Sequence, residues 1–194
     1  MTETIRTFIA IDLSEENQNK LALIQDKLKE CPTCVRWVKP ENIHLTLKFL
    51  GDISQNKIQK IIKLIPGIYK DAAPFAFDIT HLGAFPKISR PNIIWVGIEN
   101  NADKLRGLAD KLEHGLVSLG FAKKPKKFSP HITIGRVKNF KGVKKFIEAI
   151  ESIQIDPPLL QDDITISLYQ STLTSQGPVY TPLHRLTYLL HLEG

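Results

Sequence analysis

Only two cysteines and one methionine occur among the 194 residues, and no apolar run approaches membrane-spanning length. The N-terminus, Met1-Thr-Glu-Thr-Ile-Arg, carries no long apolar stretch, so no targeting or anchoring segment is expected and a cytoplasmic address follows by default. Both cysteines sit in Cys31-Pro-Thr-Cys34, after a helical pattern that ends near Glu30. Redox pairs of this spacing usually open a helix after a strand, and a structural zinc needs four ligands that are not supplied nearby. The thiols are therefore read as part of a helix-to-strand turn. No two histidines lie within five positions of each other, and no carboxylate-rich cluster accompanies them, which excludes a metallophosphatase pattern. The dipeptides Gly-Lys and Asp-Gly are absent, which removes a P-loop and leaves no ATP-dependent ligase setting. No metal and no cofactor are expected.

What is present is an ordinary globular composition, 42% hydrophobic and 24% charged, with a mean hydropathy of −0.11. Lys and Arg number 26 against 20 Asp and Glu, a formal net charge of +6 that favours polyanionic partners.

The chain is written twice. Shifted by 87 positions, Phe8-Ile-Ala-Ile11 falls on Trp95-Val-Gly-Ile98 and Leu21-Ala22 on Leu108-Ala109. At the same offset His44-Leu-Thr-Leu47 falls on His131-Ile-Thr-Ile134, and Phe77-Asp-Ile79 on Ile164-Thr-Ile166. Four landmarks at one offset mark a duplicated half-domain. Each copy reads as a strand (about Ile5–Ile11 and Ile93–Ile98), an amphipathic helix, a His-x-Thr strand, a second helix and a closing strand. In the first copy Ser14 caps the opening helix, with Glu15 and Glu16 in its first turn. The expected fold is α+β: two pseudo-symmetric lobes of antiparallel sheet with helices packed outside and a cleft between them. It forms one bilobal domain over 1–194, with copies at 1–87 and 88–174 and a C-terminal strand at 178–192.

Alternation along a strand puts Leu45 and Leu47 into the core, and His44 and Thr46 together on the opposite face. Ile132 and Ile134 likewise leave His131 and Thr133 on the open face. If the copies face each other, the cleft presents two imidazoles and two hydroxyls. In-line displacement at phosphorus needs a base on the attacking oxygen and an acid on the leaving one. Two histidines of ordinary pKa ~6.5 can divide those roles near neutral pH, and two threonines can donate to the non-bridging oxygens. A single His on a strand is usually a surface or packing residue; the shared register is what makes the pair chemical.

The paired motifs HLTL (His44–Leu47) and HITI (His131–Ile134) resemble those of the 2H phosphoesterase superfamily. The flanks Arg6-Thr-Phe-Ile-Ala-Ile, Trp37-Val-Lys-Pro-Glu-Asn-Ile-His-Leu-Thr-Leu-Lys-Phe-Leu-Gly51 and Phe128-Ser-Pro-His-Ile-Thr-Ile-Gly-Arg136 resemble its RNA 2′,3′-cyclic phosphodiesterase branch, also called the 2′-5′ RNA ligase family. The resemblance covers nearly the whole chain. It implies metal-independent hydrolysis of a terminal 2′,3′-cyclic phosphate to a 2′-phosphomonoester, with His44 as proton donor to the leaving 3′ oxygen and His131 as the base on water. RNA with a cyclic phosphate terminus is then the partner, and neither a membrane nor an obligate protein partner is called for.

Around the pair, Phe8 and Trp95 are expected to line the cleft as stacking surfaces for nucleobases, beside the small Ala10 and Gly97. Lys48 shares the parity of His44 and Thr46 and is expected at the cleft rim. Arg136 has the wrong parity with His131, but a bulge or twist near the strand end can redirect it, and the resemblance implies a substrate-contacting arginine there. Lys123, Lys124, Lys126 and Lys127 form a basic loop leading into His131. His81, His114, His184 and His191 are read as structural or surface residues. Two other readings use the same residues: ATP-independent 2′-5′ ligation of RNA at this site, and a non-catalytic RNA-binding protein with a basic cleft. A covalent phosphohistidine mechanism is a further alternative.

Overall fold

Alternating strands and amphipathic helices appear in the expected order. In the computed structural model, which describes residues 3–70, 75–123 and 125–188, β1 (Thr4–Asp12) leads to α1 (Glu15–Lys29) and the short strand β2 (Val35–Trp37). A 3-10 turn at Pro40–Asn42 precedes β3 (His44–Ser54), α2 (Gln55–Lys70) and β4 (Phe77–Lys87). The second half runs β5 (Arg90–Ile98), α3 (Ala102–Val117), β6 (His131–Val137), α4 (Val143–Ser152), β7 (Leu159–Gln161), β8 (Ile164–Thr174) and β9 (Gly177–Tyr188). Lys124, His191 and the end of the expected C-terminal strand lie outside the described residues. None of the described helices is long and apolar enough to cross a membrane.

Local chemistry accounts for the helix boundaries and faces. The Asn17 N–H donates to the Ser14 hydroxyl at 3.2 Å, closing the first turn of α1 beneath Glu15 and Glu16. Ile58, Ile61 and Ile65 turn the buried face of α2 inward, as Leu105, Leu108, Leu112 and Leu116 do for α3.

The strands form two antiparallel sheets, ordered β3-β1-β8-β9 and β2-β6-β5-β4-β7. Helices α2 and α3 pack with the first sheet and α1 and α4 with the second. The sheets therefore do not follow the sequence copies. Each copy's closing strand, β4 or β8, pairs beside the other copy's first strand, and each copy's first helix covers the other sheet. This exchange ties the halves into one body and leaves one open face on each sheet.

A β-bulge recurs at the same place in both copies. Ile9 faces Lys48 and Ala10 faces Thr46, so Leu47 has no partner in the β1–β3 ladder. Ile94 faces Gly135 and Trp95 faces Thr133, so Ile134 is left over in the β5–β6 ladder, 87 positions later. An extra residue reverses the parity of everything beyond it. The expected position of Lys48 at the cleft rim is accordingly wrong. Lys48 turns to the helix side and is buried, its ammonium 2.6 and 2.7 Å from the Glu113 carboxylate of α3 and donating to the Ala122 carbonyl at 3.2 Å. The same reversal brings Phe49 and Arg136 round to the cleft face.

Candidate active site

Strands β3 and β6 approach each other between the two sheets. His44, Thr46, His131, Thr133 and Arg136 all line one cleft of about 1240 Å³, large enough for more than one nucleotide. Both imidazoles are fixed the same way. His44 Nδ1 lies 2.7 Å from the Asn42 carbonyl oxygen and His131 Nδ1 lies 2.7 Å from the Ser129 carbonyl oxygen, each two residues upstream. A carbonyl only accepts, so each Nδ1 carries the proton and donates it, leaving Nε2 as the nitrogen able to exchange a proton with a ligand. In neutral His44, Nε2 accepts from the Thr46 hydroxyl at 2.9 Å. Such an arrangement is chemically able to pass a proton at Nε2 beside a hydroxyl donor.

The surroundings of the two rings differ. His44 stacks on Phe8 at 4.9 Å between centroids and meets the edge of Tyr180 at 5.4 Å, while Tyr169 stacks on Phe8 at 5.3 Å. Burial in this cage lowers the His44 pKa; the bond to the Asn42 carbonyl and the charge of Asp12 oppose the shift without cancelling it. Asp12 faces His44 across the β1–β3 ladder, and its carboxylate accepts from Ser167 at 2.7 Å and Tyr169 at 2.8 Å. Burial also raises the pKa of Tyr180, against the charges of Arg136 and Arg6. His131 has a looser shell, with the Phe85 ring edge-on at 5.0 Å and Trp95 at 6.4 Å.

Phe8 and Trp95 point to the sides their parity predicts but are not the open stacking faces expected of them. Phe8 does line the cleft, but at 2% exposed it serves as the floor under His44. Trp95 lies across Gly83, where an added Cβ would come within 2.3 Å of its ring, and it stands beside His131 outside the cleft lining. In the basic loop, Lys123, Lys126 and Lys127 line the cleft. His81 contacts Glu99 at 3.4 Å, and His114 meets Lys123 at 3.1 Å on the cleft wall. Cys31 and Cys34 are free thiols in the turn between α1 and β2. Arg6, Arg36 and Tyr180 also line the cleft and were not singled out from the sequence. Arg6 was legible only as a polar residue of the first strand's flank, Arg36 lies on a three-residue strand too short to show a period, and Tyr180 lies on the strand with no counterpart in the first copy.

Two exchanged antiparallel sheets, each presenting a His-x-Thr strand to a shared cleft, define the molecule as an α+β phosphoesterase of the 2H class. The profile described as LigT like Phosphoesterase matches twice, over residues 11–95 and 96–180, and the chain belongs to that family. It is 37% identical over 184 residues to the RNA 2′,3′-cyclic phosphodiesterase of Thermotoga maritima, covering 95% of this chain and 96% of that one. It is 34% identical over 179 residues to the enzyme of the same name from Methanothermobacter thermautotrophicus, with 92% and 96% covered. Among solved structures, Escherichia coli LigT complexed with 3′-AMP aligns with a TM-score of 0.72 at 28% identity, covering 95% of this chain and 98% of that one. A Thermus thermophilus protein aligns with a TM-score of 0.73 at 28% identity, covering 94% and 97%.

Proposed function

We propose that this protein hydrolyses the terminal 2′,3′-cyclic phosphate of RNA to a 2′-phosphomonoester, using His44 and His131 and no metal. The observation that carries the reading is the matched pair of imidazoles, each locked by a backbone carbonyl so that Nε2 is the reactive atom on one cleft. The relatives named for this activity, aligned along almost their full lengths, support the same substrate.

His131 Nε2 takes a proton from water as its oxygen bonds to phosphorus. The bond from phosphorus to the ribose 3′ oxygen breaks, and His44 Nε2–H delivers its proton to that oxygen. Thr46 and Thr133 donate to the non-bridging oxygens, where negative charge accumulates. The 2′ ester is retained, and solvent resets both histidines. The lowered pKa of His44 suits the donor role: its imidazolium is a stronger acid than an exposed one. The bound phosphate anion supplies the charge that favours its protonation.

The test is turnover of a short RNA ending in 2′,3′-cyclic phosphate in excess EDTA. The expected product is a 2′-phosphate that resists enzymes specific for 3′-phosphates, and His44→Ala and His131→Ala should each lower the rate by about 10²–10⁴. Activity that requires added metal, or that survives both substitutions, would contradict the reading. No turnover with tight RNA binding would leave a non-catalytic binding protein.

A further inference from the structure

The turn Cys31-Pro-Thr-Cys34 does not line the cleft, yet each of its residues touches the segment that follows β6. The Cys31 thiol donates to the Lys145 carbonyl at 3.8 Å, and the buried Thr33 hydroxyl donates to the Lys141 carbonyl at 3.0 Å. The Cys34 carbonyl accepts from the Lys138 N–H at 2.8 Å, one step beyond the Val35–Val137 pair of the β2–β6 ladder. Gly142 has a left-handed φ of 69°, and the Pro32 ring fills the space that a side chain there would need. The turn is therefore a seat that holds residues 138–145 in one conformation. Within the segment, the Val143 N–H donates to the Phe140 carbonyl at 3.2 Å.

What the seat displays is a run of cations with an aromatic side chain among them. Lys138, Lys141, Lys144 and Lys145 are all exposed, and among the described residues no carboxylate forms an ion pair with any of them. Phe140 stands in this run at 44% exposure. A lone exposed apolar residue needs no explanation. Phe140 differs in its neighbours, and the other exposed phenylalanine, Phe49, lines the cleft. From His114 to Ile147 the sequence has no acidic residue, and lysines stand on both sides of His131. Lys123, Lys126 and Lys127 of the earlier run line the cleft; the later run lies outside its lining.

Continuity with the cleft and charge together indicate what this surface meets. Arg136 lines the cleft two residues before Lys138, and Phe140 is at most about 13 Å of extended chain beyond it. A strand leaving the cleft past Arg36 and Arg136 runs onto the lysines and Phe140. Phosphates can then meet ammonium groups while a base stacks on the ring, the combination by which proteins hold single-stranded nucleic acid. A duplex keeps its bases paired and away from such a ring. Resting on the cyclic phosphodiesterase reading above, we infer that Phe140, Lys138, Lys141, Lys144 and Lys145 form an outer surface for the single-stranded RNA upstream of the cyclic phosphate. The surface makes the protein selective for strands long enough to reach past the cleft.

The experiment compares kcat/KM for a dinucleotide and a decanucleotide ending in the same 2′,3′-cyclic phosphate. The proteins are wild type, Phe140→Ala, Phe140→Tyr and the triple variant Lys141→Gln, Lys144→Gln, Lys145→Gln. Wild type is expected to prefer the decanucleotide at least ~10-fold, the scale of one base stacked on an aromatic side chain. Phe140→Ala should lower that ratio by about 10-fold, and Phe140→Tyr should keep it, because either ring stacks. The ratio is read because a general loss of activity lowers both terms together. The slope of log KM against log salt for the decanucleotide should fall by at least ~0.7 in the triple variant, one single-strand phosphate contact or more. Phe140→Ala should leave that slope in place. A wild type without length preference, an unchanged ratio in Phe140→Ala, or an unchanged slope in the triple variant would overturn the surface and leave the hydrolytic reading intact. Preference for a decanucleotide annealed to its complement over the single strand would assign the surface to a duplex and overturn the inference too. Failure of wild type to turn over either substrate would overturn the hydrolytic reading. Fluorescence anisotropy with a decanucleotide ending in a 3′-hydroxyl then reads the surface alone, and an affinity that Phe140→Ala does not weaken would overturn it as well.

Discussion

His44 and His131 occupy equivalent places in two strands with the same bulge and the same carbonyl clamp, yet their neighbours differ. His44 lies on buried Phe8 under the edge of Tyr180, with the hydrogen-bonded Asp12 carboxylate on the adjacent strand. His131 stands against Phe85 and Trp95 without such a roof. Beyond the bulge the copies diverge again: Lys48 and Phe49 in the first correspond to Gly135 and Arg136 in the second. Duplication supplied the geometry twice, and the neighbours distinguish the two rings chemically. Sites that assign acid and base to two similar groups commonly do so through environment.

The comparison can be broken hardest at Lys48, the position where only the first copy buries a charge. Its ammonium joins β3 to α3 and to the carbonyl that precedes the basic loop. Lys48→Met should cost about 3 kcal/mol in denaturant unfolding, as expected when one partner of a buried pair is removed. A loss under ~1 kcal/mol, the range of surface pairs, would mean that the pair does not tie the halves together.

A subtler change tests the cage. Phe8→Leu should cost about 1 kcal/mol in stability and admit water to His44. With His44 as proton donor, kcat/KM falls as pH rises through its pKa, and burial holds that pKa below the usual ~6.5. Relieving burial raises it, so the alkaline limb of the kcat/KM profile should move to higher pH. Trp95→Leu, the equivalent change in the other copy, should leave that limb where it is. Equal shifts in both variants would show that the cage is not what sets His44 apart.

Asp12→Asn works in the opposite direction and by a smaller amount. The carboxylate favours the charged form of His44, so removing its charge should move the same limb to lower pH. Stability should fall by roughly 1 kcal/mol as Ser167 and Tyr169 lose a charged acceptor. A limb that stays in place would place the field at His44 elsewhere.

The sequence made the duplication and its His-x-Thr faces legible, because an exact offset and a two-residue period survive without knowledge of contacts. The bulges were not legible. Leu47 and Ile134 look like ordinary inward residues of alternating strands, and only the ladder shows that each is unpaired. That single hidden residue explains why Lys48 went to the wrong face and why Arg136, with unfavourable parity, lines the cleft. The exchange of β4 and β8 between sheets was equally hidden, since a repeat is compatible with pairing within or between copies. Strands β2 and β7, each three residues long, are too short to show a period. Parity placed Phe8 on the correct side, but its burial depends on Tyr169 and Tyr180, more than 150 residues away.

The central claim is that the two copies act as one catalytic unit on one phosphate. It is tested most directly by kcat/KM for a cyclic-phosphate-terminated RNA in wild type, His44→Ala, His131→Ala and the double variant. Groups that act in the same step lose their effect together. Each single substitution should remove about 10²–10⁴ of the rate, and the double variant should fall little below the weaker single one. Losses that multiply in the double variant, or a single variant that keeps wild-type activity, would contradict the account.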